Sequence, residues 1–528
     1  MNIITILQQF ATTHAEVPAI IDTYKKRSRT TTFAELEKSS AVMAALLQQK
    51  GLQPGDAVLV FHPMSAELYI ILAALFRLGL VAMFLDPGVG KDHINNCCSL
   101  YPPKALIASS KAHFLRLQSQ ALQRIPLKFA VGCPIPGAIS WNSAQQAPYD
   151  ISCNIYTTTL DSPALLTFTS GSTGKPKAAL RTHDFLLAQH QALANTLQLQ
   201  PQQLDLATLP IFVLANLASG LTSLIPNANL RKPGAINPAP VIAQILTHQP
   251  TRTVSSPGFL SRLIEYCLPH NLTLPSLEKI FIGGAPVMPN SLVKLQQIAP
   301  NSQITTVYGS TEAEPIAYNH YQTQAEDIAT TLTGGGLLVG KPVDSIQLRI
   351  LTQCWGKPIS PYTHAQFNEA CQPIGTPGEI VVSGNHVLSS YLFGHGNEET
   401  KFTVEETSWH RTGDAGYMDN KGRLWLLGRC IGCIEDIHGA VYPLAIEGIL
   451  QNHPDIRHSA VILHQGQRTL IVELNKPSHQ IDWVFVKDSL KNMHIQNIKI
   501  CKKFPLDKRH NAKVDYPALL KMYKKFAL

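Results

Sequence analysis

Through about residue 310 the chain alternates short apolar runs with amphipathic helical patterns, and few folds accommodate that rhythm. Strands separated by helices pair in parallel and need a helical layer on each face. The alternation therefore predicts an α/β architecture with layered parallel sheets. Gly55-Asp56 is a turn before Ala57-Val-Leu-Val-Phe61, a run apolar enough for a strand buried on both faces, and Glu67 to Leu78 reads as the helix behind it. Arg252 to Val254 and Lys279 to Ile282 are further strands, each followed by Gly or Pro turns. Leu68 to Leu85 resembles a membrane span in hydropathy, but Arg77 would sit at mid-bilayer at a cost of about 2.5–3.5 kcal/mol. Gly79 and Asp86-Pro-Gly88 break the segment into helix, turn and strand, so no transmembrane segment is expected.

Near Thr333 the texture changes. Gly334-Gly-Gly336, Gly340-Lys-Pro342 and Gly375-Thr-Pro-Gly378 punctuate short β-branched runs such as Glu379-Ile-Val-Val382, the pattern of a small antiparallel or barrel-like subdomain. A boundary follows at Gly428-Arg429. Beyond it, Tyr442-Pro443 opens a helix, Ser459 to Leu463, Thr469 to Leu474 and Ile495 to Ile500 are strand runs, and a helix lies near Trp483 to Leu490. The expected organisation is a large N-terminal domain over 1–427 (two α/β subdomains plus the β subdomain), a hinge over 428–431, and a small mobile α+β domain over 432–528.

Composition narrows the function classes. At 45% hydrophobic and 15% charged, the 528 residues can bury a large core, and a net charge of +8 scattered over this length does not mark a nucleic-acid partner. The ten cysteines show no small disulfide framework, and MNIITILQQF lacks the basic start, apolar stretch and cleavage site of a signal peptide, so reduced thiols and a cytoplasmic location are expected. Cys430-Ile-Gly-Cys433 has redox spacing, but a metal site of this kind wants a second pair, and none has suitable spacing.

The stretch richest in chemistry runs from Leu165 to Lys177. An apolar strand enters a loop carrying Thr169, Ser170, Gly171, Ser172, Thr173, Gly174, Lys175 and Lys177. Small residues let backbone N–H groups approach phosphate oxygens, hydroxyls donate further bonds, and lysines neutralise charge. It is not a Walker A loop, because Gly174-Lys175 is followed by Pro176 and Thr169 stands where the first glycine belongs. Nor is it a nucleophile elbow, since no glycine lies two residues before Ser172. A flexible Ser/Gly linker does not normally abut a buried strand with lysines at fixed places.

Thr169-Ser-Gly-Ser-Thr-Gly-Lys-Pro-Lys177 resembles the signature loop of the ANL superfamily of adenylate-forming enzymes, with Ala178 where a glycine is usual. Further motifs follow in family order. Thr306-Val-Tyr-Gly-Ser-Thr-Glu312 is similar to the family's Y-G-x-T-E: Tyr308, beside Gly309, can stack on adenine, Thr311 can bond a phosphate, and Glu312 can ligate Mg2+. Gly283-Gly284-Ala285-Pro286 resembles the segment lining the adenine pocket. The resemblance gives Asp414, in Trp409-His-Arg-Thr-Gly-Asp414, the ribose hydroxyls, and Arg429 a contact to ribose or phosphate. It makes Lys513 the mobile adenylation lysine, although Ala512 replaces the usual glycine before it. His183, at a helix start capped by Thr182, is a candidate for phosphate or acyl contact, against the commoner reading of a satisfied polar residue.

The implied first step is attack of a carboxylate on the α-phosphate of MgATP, giving an acyl-adenylate and pyrophosphate. For the second, Asp86-Pro-Gly88, Pro210-Ile-Phe-Val-Leu214, Glu312-Ala-Glu-Pro315, Ile434-Glu435 and Arg509-His-Asn-Ala-Lys513 resemble the olefin-biosynthesis β-lactone synthetases. That resemblance implies closure of a β-hydroxyacyl-adenylate to a β-lactone, and the family at large implies transfer to CoA or to a carrier protein. A degenerate nucleotide-binding scaffold is the competing class; the retained Lys177, Glu312, Asp414, Arg429 and Lys513 argue against it. The acyl pocket is expected to draw on Phe212, Asn216 and Glu314, in segments whose apolar character favours a fatty-acid-like or aromatic acid.

Overall fold

The computed structural model describes all residues except 87, 89, 145–154, 171–175, 322–323, 476–480, 507–513 and 525–528, and excludes the side chains at 144, 169, 170 and 524. The chain divides into two compact units: Met1–Asn227 with Leu388–Asn397, and Ala228–Val387 with Glu398–Leu528.

The first unit is built on a seven-stranded sheet in the order Ile139–Ser140, Leu127–Val131, Ala105–Ser109, Ala57–Phe61, Val81–Phe84, Pro163–Ser170, Pro176–Thr182. All neighbours pair in parallel except the last two, which form an antiparallel hairpin. Every residue of Ala57–Phe61 is buried, as a strand covered on both faces must be. The apolar stretch that mimicked a membrane span is the helix Ala66–Arg77, buried at every position but Glu67, followed by the strand Val81–Phe84. Arg77 is neutralised by an ion pair with Glu37. Among the described residues no helix is long and apolar enough to cross a membrane. A second ribbon in this unit runs Leu204–Ala207, Thr222–Leu224, Pro18–Tyr24, Arg27–Thr32. The predicted cap is present: Thr182 accepts a hydrogen bond from the Phe185 N–H (3.1 Å) at the start of the helix His183–Leu197.

In the second unit Arg252–Ser255, Lys279–Gly283 and Gln303–Ser310 are parallel. Ala313–His320 then doubles back, and Leu337–Pro342, Leu424–Arg429, Thr407–Met418, Gly378–Ser383 and Gln347–Leu351 continue the sheet antiparallel. The switch to antiparallel pairing thus comes before the change of texture at Thr333. Its cause is local: the Ser310 hydroxyl accepts from the N–H groups of Glu312 and Ala313 (3.2 and 3.3 Å) and closes a tight turn. Between the antiparallel strands Arg411 and Glu379 form a buried bidentate pair at 2.8 and 2.7 Å, with no side-chain exposure on either partner.

The C-terminal residues of this unit form a three-stranded sheet, Ile456–His464, Gln467–Leu474 and Asn497–Cys501, with helices Pro443–Leu450 and Trp483–Ser489. Two apolar clusters, around Ile446 and Val472 and around Ile462 and Leu519, draw only on residues after 433. At Gly428 the chain adopts φ +112°, and a Cβ there would lie 2.9 Å from Cβ of Pro443, so glycine alone fits the start of this region without strain.

Candidate active site

The second unit carries a cavity bordered by Gly284, Pro286, Tyr308, Asp414, Arg429 and Glu447 among others. Its polar end follows from strand register. Asp414 and Arg429 are direct cross-strand partners, which places carboxylate and guanidinium side by side. Arg429 Nη1 donates to Asp414 Oδ1 (3.0 Å) and to the Thr412 carbonyl (3.1 Å). Tyr308, from the strand Gln303–Ser310, donates its hydroxyl to Asp414 Oδ2 at 2.8 Å. Burial, reinforced by the Asp414 charge, holds the Tyr308 phenol well above its ordinary pKa, so it stays a donor. The neighbouring Asp414 carboxylate raises Arg429 in turn, against desolvation. Each carboxylate oxygen of Asp414 accepts one protein bond and keeps lone-pair capacity for a second. Gly284 (φ +86°), Ala285 and Pro286 form a wall with little side-chain bulk, suited to a flat group.

Beyond the turn, Thr311 and Glu312 are half-buried. His410 lies close enough to sense the Glu312 charge, yet burial first and Lys401 second push its imidazole down to about 3, so it is neutral. Among the described residues no group of three or more His, Cys, Asp or Glu side chains could hold a metal ion. The described cysteines are all free, and burial raises the Cys430 thiol, making it a poor thiolate donor.

The strands that flank the sequence-predicted phosphate loop pair as a hairpin, Thr169 with Lys177 and Ser170 with Pro176. Gly171, Ser172, Thr173 and Gly174 lie outside the described residues, as do the side chains of Thr169 and Ser170. Lys177 is buried, its ammonium 5.8 Å from the Tyr391 ring centroid. Lys513 also lies outside the described residues; its neighbour Val514 borders the cavity and pairs with Leu506.

Three expectations need correction. His183 is not open to a ligand: it is wholly buried in the first unit, its Nδ1 accepts from the Ile3 N–H (3.4 Å), and its ring meets Phe76 edge-on. Burial pushes its imidazole down to about 4, the behaviour of a neutral core histidine. Asn216 is not a pocket group either, since its buried amide donates to Asp205 (2.7 Å) and Ser223 (3.0 Å). Phe212 is buried on the helix Pro210–Leu217, whose Ile211, Leu214, Ala215 and Leu217 instead border a separate apolar cavity. The helix period separates these faces, so neighbouring residues of one segment need not border the same cavity. Glu314 is half-buried on the strand Ala313–His320 of the second unit. Sequence reading missed Glu447 and Tyr516, because a single acid in an apolar helix and an aromatic near a basic tail carry no motif.

The AMP-binding enzyme family matches residues 7–392, and the chain belongs to that family. It is an adenylate-forming ligase, a class that uses ATP to activate carboxylic acids. It is 29% identical over 509 residues to the olefin β-lactone synthetase of Xanthomonas campestris, covering 92% of this chain and 89% of that protein. It is also 27% identical over 506 residues to the olefin β-lactone synthetase of Stenotrophomonas maltophilia (91% and 89%). The 2-succinylbenzoate–CoA ligase of Bacillus subtilis is 26% identical over 433 residues (82% and 80%). Its fold is similar to that of an anthranilate CoA ligase solved with anthranoyl-AMP, with a TM-score of 0.83, 18% identity and coverage of 100% and 98%.

Proposed function

We propose that the enzyme activates a fatty-acid-like β-hydroxy acid and closes the resulting adenylate to a β-lactone. In the first step a carboxylate oxygen bonds the α-phosphorus of ATP and pyrophosphate leaves. In the second the β-hydroxyl oxygen bonds the acyl carbon, its proton passes to water, and the acyl–phosphate C–O bond breaks to release AMP. The observation that carries the nucleotide half is Asp414, held by Tyr308 and Arg429 at the cavity with one acceptor site left on each oxygen. Asp414 would take the two ribose hydroxyls, Glu312 would hold Mg2+, and Thr311, Lys177 and the loop 169–174 would line the phosphates. Lys513 would reach the α-phosphate, where a cation stabilises charge as it develops. The region 428–431 would serve as the hinge on which the C-terminal residues move.

Support for ring closure comes from similarity to two β-lactone synthetases over about nine-tenths of the chain. An internal hydroxyl needs no second substrate, and its proximity replaces a bimolecular encounter. Transfer to CoA is the second reading, favoured by the likeness to CoA ligases. Product analysis with β-hydroxy acids, with and without CoA, separates the two. CoA-independent loss of one water from the acid is expected; a thioester formed only with CoA would overturn the lactone reading.

A further inference from the structure

The strand Pro176–Thr182 carries Lys177 and Ala179 on one face, because side chains alternate along a strand. The segment Leu388–Asn397, remote in sequence, belongs to the same compact unit and lies against that face. Leu388 and Tyr391 pack on Ala179, with Phe185 beside them. The segment is shaped by its own hydrogen bonds. Asn397 Oδ1 accepts from the Tyr391 N–H (2.9 Å), Asn397 Nδ2 donates to Ser390 Oγ (2.8 Å), and the Gly394 N–H donates to the Tyr391 carbonyl (3.0 Å). The resulting strap holds left-handed backbone at Phe393 (φ +56°), Gly394 (φ +72°) and Gly396 (φ +99°). Phenylalanine is poorly suited to that region, and Phe393 is 67% exposed, so the packing of its own ring does not account for the strain.

What the turn creates is a narrow slot. A Cβ at Gly396 would lie 2.7 Å from both Cδ and Cε of Lys177, so the lysine stem runs directly along the Gly396 backbone. At Gly394 a Cβ would meet nothing nearer than Asn397 Nδ2 at 3.7 Å. The Lys177 ammonium, 5.8 Å from the centroid of the buried Tyr391 ring, is within cation–π range. A lysine side chain ordinarily samples many rotamers, and ordering it on binding a ligand costs affinity; a stem held in advance avoids that loss.

We propose that the strap Leu388–Asn397 positions Lys177 for the phosphates of a nucleotide: Gly396 leaves room for its stem and Tyr391 steadies its ammonium, so both are positioning residues that set phosphate affinity through Lys177. The proposal rests on the reading that Lys177 lines the phosphates of ATP.

The test is equilibrium binding of a non-hydrolysable ATP analogue and of adenosine by the full chain, without any acid substrate. Lys177→Ala lowers affinity for the triphosphate by about tenfold, the loss of one charge-assisted contact, and leaves that for adenosine unchanged. Gly396→Ala lowers triphosphate affinity as far. Gly394→Ala, which imposes left-handed strain without meeting Lys177, leaves it within about twofold. In the Lys177→Ala background Gly396→Ala has no further effect on the triphosphate, because the stem it would strike is gone. Tyr391→Leu lowers triphosphate affinity about threefold, and Tyr391→Phe, which keeps the ring face, does not. A Gly396→Ala loss that persists in full in the Lys177→Ala background, or that appears equally with adenosine, overturns the proposal and leaves the reading of Lys177 intact. If Gly396→Ala does not fold, the Tyr391 pair decides, and unchanged triphosphate affinity in Tyr391→Leu overturns the proposal. Unchanged triphosphate affinity in Lys177→Ala overturns the reading beneath it and the proposal with it.

Discussion

Replacing Asp414 by Ala probes the nucleotide end of the site most sharply. Both carboxylate oxygens already accept from the protein, Oδ2 from Tyr308 at 2.8 Å and Oδ1 from Arg429 at 3.0 Å. A carboxylate offers about four lone-pair sites, so one remains on each oxygen for a ribose hydroxyl. Hydrogen bonds to a charged acceptor contribute about 1.5–3 kcal/mol each, so two are together about 3–6 kcal/mol. At 1.4 kcal/mol per decade, that is a loss of roughly 10²–10⁴ in ATP affinity. Asp414→Asn converts one acceptor into a donor and should lose about half of that free energy. The stray effects are separable, because Arg429 is half exposed and tolerates loss of its partner. The assay compares ATP with its 2′,3′-dideoxy analogue. The unaltered enzyme should prefer ATP by the full factor, and Asp414→Ala should bind both alike. Equal losses for the two ligands would refute the assignment and reduce Asp414 to a support for Tyr308 and Arg429.

Two further outcomes follow from buried ionisable groups. Glu379→Ala leaves Arg411 unpaired at a site with no exposure, so denaturant unfolding should show a loss of about 3–5 kcal/mol. Adding Arg411→Met to that variant should recover part of it, and a larger loss in the double variant would contradict the account. His183 excludes a proton in the folded state down to about pH 4, whereas the unfolded chain takes it up near 6.5. Stability should therefore fall as pH drops through that window, by about 3 kcal/mol in all. His183→Gln should flatten the decline and keep ATP–pyrophosphate exchange within about threefold, while a hundredfold loss would return His183 to the reaction.

Elements whose chemistry is local were legible in the sequence. Ala57–Phe61 declared itself by an unbroken apolar run, the helix at Pro443 by its proline and apolar face, and the cap at Thr182 by residue type. The association of Tyr308, Asp414 and Arg429 was legible only through motif order, because the hydrogen bonds span up to 106 residues. Which face of the helix Pro210–Leu217 meets a cavity was not legible, since apolar residues stand on every side of it and its one polar residue, Asn216, is buried on Asp205 and Ser223. His183 misled because a histidine beside a phosphate-loop hairpin reads the same whether it turns outward or packs on Phe76. Glu447 was silent because the rise of its carboxyl pKa comes from burial, which no spacing reports. The early switch to antiparallel pairing rested on one serine hydroxyl, Ser310, too small a signal to outweigh the glycine-rich texture that follows Thr333.

The central claim is that an acid is joined to the α-phosphate of ATP in this site. Incorporation of labelled pyrophosphate into ATP, with a β-hydroxy fatty acid present and then omitted, measures that step before any acceptor is engaged. The account predicts acid-dependent label in ATP, lost in Asp414→Ala. Acid-dependent release of ADP and inorganic phosphate with no label in ATP would contradict it.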